Sequence, residues 1–81
     1  MIHDINIRRD FADPVLSDMK RFEVRKNDRG YQKGDFLRFH VIDEKGFPIA
    51  HGLNNKKVKI LYVLSGWGIE PDYVVLSIML V

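Results

Sequence analysis

The stretch RFEVRKNDRGYQKGDFLRF, Arg21 to Phe39, reads as two strands joined by a heavily charged connection. RFEVR alternates, which sets Phe22 and Val24 on one face and Arg21, Glu23 and Arg25 on the other. With apolar residues turned inward, Phe22 and Val24 are expected in the core. Gly34-Asp35 opens the next strand, with Leu37, Phe39 and Val41 inside and Arg38 and His40 outside. Gly34 ends a loop and starts a strand, so it is expected in a backbone conformation that a Cβ would strain. A hairpin loop needs only about two to five residues with suitable backbone preferences. Placing Arg25, Lys26, Asn27, Asp28 and Arg29 side by side exceeds that need.

Working outward from this stretch, HDINIR is a short strand with Ile5 and Ile7 on one face. DFADPVLSDMK reads as a helix. Phe11, Val15 and Met19 stand four apart, with Leu16 widening the stripe, and either Asp13 ahead of Pro14 or Asp10 serves as the cap. DEKG, Asp43 to Gly46, is a turn with Gly46 at positive φ. FPIAHGLNN is irregular, since Pro48 argues against a central strand. KKVKILYVL and DYVVLSIMLV are the strongest strands, the first with Val58, Ile60 and Tyr62 inward, the second apolar on both faces and hence central. One strand, one helix and four closely spaced strands predict a mainly β, α+β domain. Its five strands form a small barrel or strongly curved sheet, with the helix closing an end.

At 81 residues the chain is a single domain, 1–81, with a thin core. Its 46% apolar content is that of a folded protein. The absence of cysteine excludes disulfides, thiolate metal sites and a cysteine nucleophile, and fits a reducing compartment. MIHDINIRRDF has no signal-peptide apolar segment, and YVVLSIMLV is too short to span a bilayer as a helix. A soluble cytoplasmic domain without membrane contact is expected. Residues 20–38 hold seven basic and three acidic residues, a net of +4, so the remainder carries −2 against a total of +2. A focused basic patch on a nearly neutral chain points to a local anionic contact.

Arg25, Lys26 and Arg29 supply guanidinium and ammonium donors suited to phosphate oxygens. Asn27 and Asp28 favour turns and bond to nearby main-chain N–H groups. A self-bonded loop is the alternative, with Glu23 or Asp28 pairing with Arg25 or Arg29. Tyr31, and Trp67 in SGWGIEP, are aromatics able to stack on bases near such a patch. Trp67 as a plug in one end of the barrel is the structural alternative. His3, His40 and His51 lack metal-ligand spacing, and no glycine-rich phosphate loop precedes a helix, so no metal or cofactor is expected.

VLSDMKRFEVRKNDRGYQKGDFLRF, and above all FEVRKNDR followed by GD, resembles the signature of a family of small phage and bacterial proteins known as DUF3850. GWGIEPDYVVLSI is similar to that family's glycine-rich loop and last strand, so the likeness covers nearly the whole chain. The departure is Asp18, where glycine is usual before the lysine. The resemblance implies a relation to ASCH and PUA-like domains, small β-barrels that often bind RNA. It also implies a cleft between helix end and barrel, lined by Lys20 to Arg25, with Lys20, Glu23 and Arg25 close together. Lys20 and Glu23 would there be either acid–base partners or an ordinary ion pair. Some ASCH-like proteins resemble nucleoside amidohydrolases that use a lysine, a threonine nucleophile and a glutamate. Lys20 matches the lysine, but Glu23 stands at the threonine position and the chain has no threonine. Ser17 and Ser65, the candidates outside the final strand, are not at matching positions.

The reading that follows is an RNA- or nucleotide-binding module using Lys20, Arg25, Lys26, Asn27, Asp28, Arg29, Tyr31 and Trp67. Two alternatives stand beside it. One is a hydrolase acting on a modified nucleoside or RNA through Lys20 and Glu23; the other is a phage-encoded protein-interaction module meeting an acidic partner.

Overall fold

Five runs of alternating or wholly apolar residues pair into one sheet in the computed structural model, which describes residues 1–81. The strands are β1 (Ile2–Arg8), β2 (Phe22–Lys26), β3 (Phe36–Ile42), β4 (Lys57–Leu64) and β5 (Tyr73–Leu80), with a single helix, α1 (Arg9–Leu16), after β1. The sheet order is β1-β3-β4-β5-β2. β1 runs parallel to β3, and the other neighbours are antiparallel. β4 and β5 are interior strands, as their apolar sequences require. The sheet curls into a half-barrel whose two edge strands, β1 and β2, face one another without a backbone ladder between them.

The concave face is the core. Ile5 and Ile7 from β1, Leu37, Phe39 and Val41 from β3, Val58 and Ile60 from β4, and Val74, Leu76 and Ile78 from β5 are all buried there. Ala12 and Val15 of α1 and Leu53 of the irregular segment cover it. Each of these side chains other than Ala12 contributes roughly 1.5–3 kcal/mol by leaving water. Asn54 ties that segment to the sheet: its side-chain oxygen accepts from the Val41 N–H (2.7 Å) and its amide donates to the Ile49 carbonyl (2.7 Å).

Three local expectations are corrected. First, β2 is inverted. Glu23 is 4% exposed and shares the inner face with Leu76 opposite it, while Phe22 and Val24 are 47% and 52% exposed. Alternation fixes the period of a strand but not its phase, and here the inward carboxylate is neutralised by two cations. Second, a bulge at Leu61 shifts the β4–β5 register between Ile60 and Tyr62. The phase flips after it, so Tyr62 faces out and Val63 packs on the core. Third, α1 starts at Arg9 with Arg8 as its cap residue, no side chain caps it, and Pro14 lies inside it. Its buried face is Ala12 and Val15; Phe11, Leu16 and Met19 are exposed.

The end of α1 steers the chain toward β2. Asp18 takes φ +65°, the left-handed conformation for which glycine is the usual choice. Its N–H donates to the Val15 carbonyl (3.0 Å) and the Met19 N–H to the Pro14 carbonyl (2.9 Å), the paired bonds of a Schellman cap. Arg21 grips the Asp18 carboxylate at 2.8 Å. Gly34, as expected, takes φ +91°, and its N–H donates to the Ile60 carbonyl (2.8 Å).

Candidate functional site in the seam

The edge of β1 facing the seam presents the carbonyls of Asp4 and Asn6, because its odd-numbered residues bond toward β3. Two guanidinium groups reach them from the other side. Arg25 donates to the Asn6 carbonyl (2.8 Å) and Arg29 to the Asp4 carbonyl (2.6 Å). Side chains thus close what a fifth ladder would close in a complete barrel. The Arg25 strut also divides the seam into two hollows.

The larger hollow is an open cleft of about 630 Å³. Phe11 of α1, Phe22 and Val24 of β2, Ile7, Ile42 and Tyr73 form its apolar walls. Lys20, Glu23 and Arg25 form its polar floor, and Asn6, Arg8 and Lys26 complete the lining. Lys20 Nζ touches Glu23 Oε1 directly and donates to the Phe22 carbonyl (2.9 Å). Arg25 Nε donates to Glu23 Oε2 (3.0 Å). Lys20 Nζ also sits 5.6 Å and 5.0 Å from the ring centroids of Phe11 and Phe22, within cation–π range. One carboxylate between two cations leaves an excess positive charge at the cleft floor.

The smaller hollow, about 300 Å³, lies across Arg25 and is lined by Ile5, Asn6, Lys26, Asp28, Arg29 and Tyr31. Asn27 shapes this loop. Its side-chain oxygen accepts from the Tyr31 N–H (3.1 Å), and its own N–H donates to the Asp72 carbonyl (2.7 Å). Tyr31 is 5% exposed, so its ring face is not free for stacking. The ring meets buried His3 edge-on at 4.9 Å. His3 Nε2 lies 2.8 Å from Asp35, and a carboxylate only accepts, so this nitrogen carries the proton. That bond, with the Gln32 N–H, holds the Asp35 carboxyl below the usual carboxylate range against the opposing effect of burial. Burial pushes the Tyr31 phenol up, so it remains a neutral donor.

The structure therefore brings Lys20, Glu23, Arg25, Lys26, Asp28, Arg29 and Tyr31 to one seam, with Asn27 as its loop builder. Trp67 stands apart. It is 91% exposed between Gly66 and Gly68, all three at positive φ, and it lines neither hollow and plugs no barrel end. The cleft walls Phe11, Phe22, Val24 and Tyr73 escape sequence reasoning because β2 and α1 are read with those side chains inward or unassigned. Apolar residues on the outer face of an edge strand would have marked Phe22 and Val24.

The sequence joins this geometry to a known group. A family model described as a domain of unknown function, DUF3850, matches residues 2–78. The chain belongs to the DUF3850 family. Over 39 residues it is also 44% identical to a protein of Escherichia phage P2 described as "Uncharacterized 12.9 kDa protein in GpA 3'region". That alignment takes in 48% of this chain and 36% of the phage protein, so the match spans about a third of the relative's length. This DUF3850 chain contains no helix long and apolar enough to cross a membrane. It has no cluster of three or more histidine or acidic side chains able to hold a metal ion. Neither Ser17 nor Ser65 lines the cleft, where Tyr73 is the one hydroxyl-bearing side chain.

Proposed function

We propose that this DUF3850 chain is a cytoplasmic RNA- or nucleotide-binding module of the ASCH/PUA-like kind, and that the seam is its ligand site. The observation that carries this reading is the Lys20–Glu23–Arg25 trio at the floor of an open cleft walled by Phe11 and Phe22. Buried ion pairs are a poor source of stability, and apolar side chains at these positions would serve a core as well or better. A trio with excess positive charge, opening onto aromatic walls, suits a ligand with a flat ring and an anionic group. Its likeness in place to the cleft of ASCH-like domains supports the same reading.

Arg25 and one terminal nitrogen of Arg29 are engaged in closing the seam, so the cations left for an anionic strand there are Lys26 and the remaining N–H groups of Arg29. Binding of a short single-stranded RNA, followed by fluorescence anisotropy at several salt concentrations, tests the proposal. Two phosphate contacts predict a slope of log K against log[salt] of roughly −1.4. Lys26→Ala flattens that slope by about 0.7. Charge reversal at Lys56 and Lys57, away from the seam, has a smaller effect. No binding at low salt overturns this reading and favours a protein-interaction module.

The direct contact of Lys20 with Glu23 in an accessible cleft favours one second reading, a hydrolase acting on a modified nucleoside. Against it, both Glu23 oxygens are engaged and the cleft holds no serine or threonine. Turnover of acylated nucleosides that is lost in Glu23→Gln would establish it.

A further inference from the structure

We infer that the smaller hollow is a phosphate subsite, which takes the phosphate ester of a nucleotide unit whose base occupies the larger cleft. This rests on the seam being a nucleotide site, and adds which chemical group binds on the far side of Arg25. Three observations lead to it. The first is an unspent donor. Tyr31 is 95% buried, yet its phenol has no partner within the chain. No sealed polar side-chain atom in the molecule lacks a partner, so the hydroxyl opens onto the hollow that Tyr31 lines. A buried ring that presents an unpaired hydroxyl to a polar hollow is suited to a ligand oxygen.

The second observation is charge. Lys26 has no partner and Arg29 uses one terminal nitrogen on the Asp4 carbonyl, so ammonium and guanidinium donors remain beside the phenol. Asp28 is the one carboxylate lining the hollow; it makes no ion pair and opposes an anion. The third is position. Both hollows are lined by Asn6, Arg25 and Lys26, so a ligand spanning them passes over the Arg25 strut, with ring and anion on opposite sides. His3, held by Asp35, fixes the Tyr31 ring from behind, which pre-sets the direction of its hydroxyl.

The test compares a nucleoside, its 5′-monophosphate and a short single-stranded RNA on the intact chain and on two variants. Tyr31→Phe keeps the buried ring and removes only the unpartnered hydroxyl, so it folds. Loss of one hydrogen bond to a charged oxygen is expected to weaken the monophosphate or the RNA about tenfold or more, and to leave the nucleoside unchanged. Asp28→Asn is expected to tighten the phosphorylated ligands and again to leave the nucleoside unchanged. Dependence on Tyr31 for the monophosphate identifies a free nucleotide as the source; dependence for the RNA alone identifies a strand. Equal affinity for nucleoside and monophosphate, or equal loss of both in Tyr31→Phe, overturns the phosphate subsite while the nucleotide reading of the cleft survives. If none of the three ligands binds, the nucleotide reading fails first. Inorganic phosphate alone, followed by the Tyr31 ring resonances, then decides the hollow: shifts that persist at lower phosphate in Asp28→Asn and are weakened in Arg29→Ala support an anion site, and no shift overturns it.

Discussion

β4 and β5 are joined by a backbone ladder running from Val58–Leu80 to Leu64–Val75, and the side chains beneath it are wholly apolar. β1 and β2 are joined by two arginine side chains, over a carboxylate and a lysine. The first boundary is paired backbone to backbone except at the Leu61 bulge, over an apolar face with no polar side chain to offer. The second leaves main-chain edges, aromatic faces and donors accessible in the same place. A half-barrel that stops short of closure thus keeps its stability on one side and its chemistry on the other. Sites built on this plan have a rigid wall opposite a boundary held by a few exchangeable bonds.

The comparison breaks most easily if the two sides cost the same to disrupt. Phe39→Ala, in the fully buried core beneath β3, is expected to lower unfolding free energy by about 3–5 kcal/mol. Denaturant titration measures it, and ligand affinity of the remaining folded protein should not change. Arg25→Met keeps the aliphatic stem but removes the bonds to Glu23 and Asn6. Its expected cost is roughly 1–3 kcal/mol, since the group is partly exposed, but affinity for single-stranded RNA should fall severalfold. An Arg25 loss as large as that of Phe39, with affinity intact, would make the seam a structural closure only.

Asp18 sharpens the same contrast from the helix side. Its left-handed conformation suits glycine, so Asp18→Gly should raise stability by about 0.4–1 kcal/mol, less whatever the exposed Arg21 pair contributes. A thermal melt reads the sign, and a loss instead would show that the arginine grip outweighs the backbone strain. The smallest effect belongs to the outer face. Two hydrogen bonds from Arg38, and then one from His40, hold the Asp4 carboxyl well below the usual carboxylate range. A folded-state value below the unfolded one gives stability that is present above the unfolded value of about 3.9 and lost as pH falls toward the folded one. Asp35 acts in the same direction. Unfolding followed between neutral pH and strongly acid pH should therefore show an acid loss that Asp4→Asn reduces.

Much of the ladder side is legible in the sequence, and less of the seam. β3 reads correctly because Leu37, Phe39 and Val41 alternate with polar residues that leave only one phase open. β5 reads as central because both faces are apolar. In β2 one phase turns Phe22, Val24 and Lys26 inward and the other Glu23 and Arg25, and the apolar pair makes the first the natural reading. Only the tertiary partners Lys20 and Asn6 make the charged choice affordable. Tyr62 is misplaced for a different reason: a bulge is set by the pairing of two strands, not by one strand's pattern. The closeness of Lys20, Glu23 and Arg25 follows from the family likeness. The hydroxyl of Tyr31 and the walls formed by Phe11 and Phe22 depend on how the sheet curls, which no local pattern encodes.

The most direct test of the seam as the ligand side is an amide chemical-shift titration of the isotopically labelled chain with a short single-stranded RNA at low salt. The account predicts shifts concentrated at 4–8, 20–26 and 27–31, with β4 and the β4–β5 ladder unmoved. Shifts centred on Arg38, His40 and Lys57 of the outer face, or none at any residue, would contradict it.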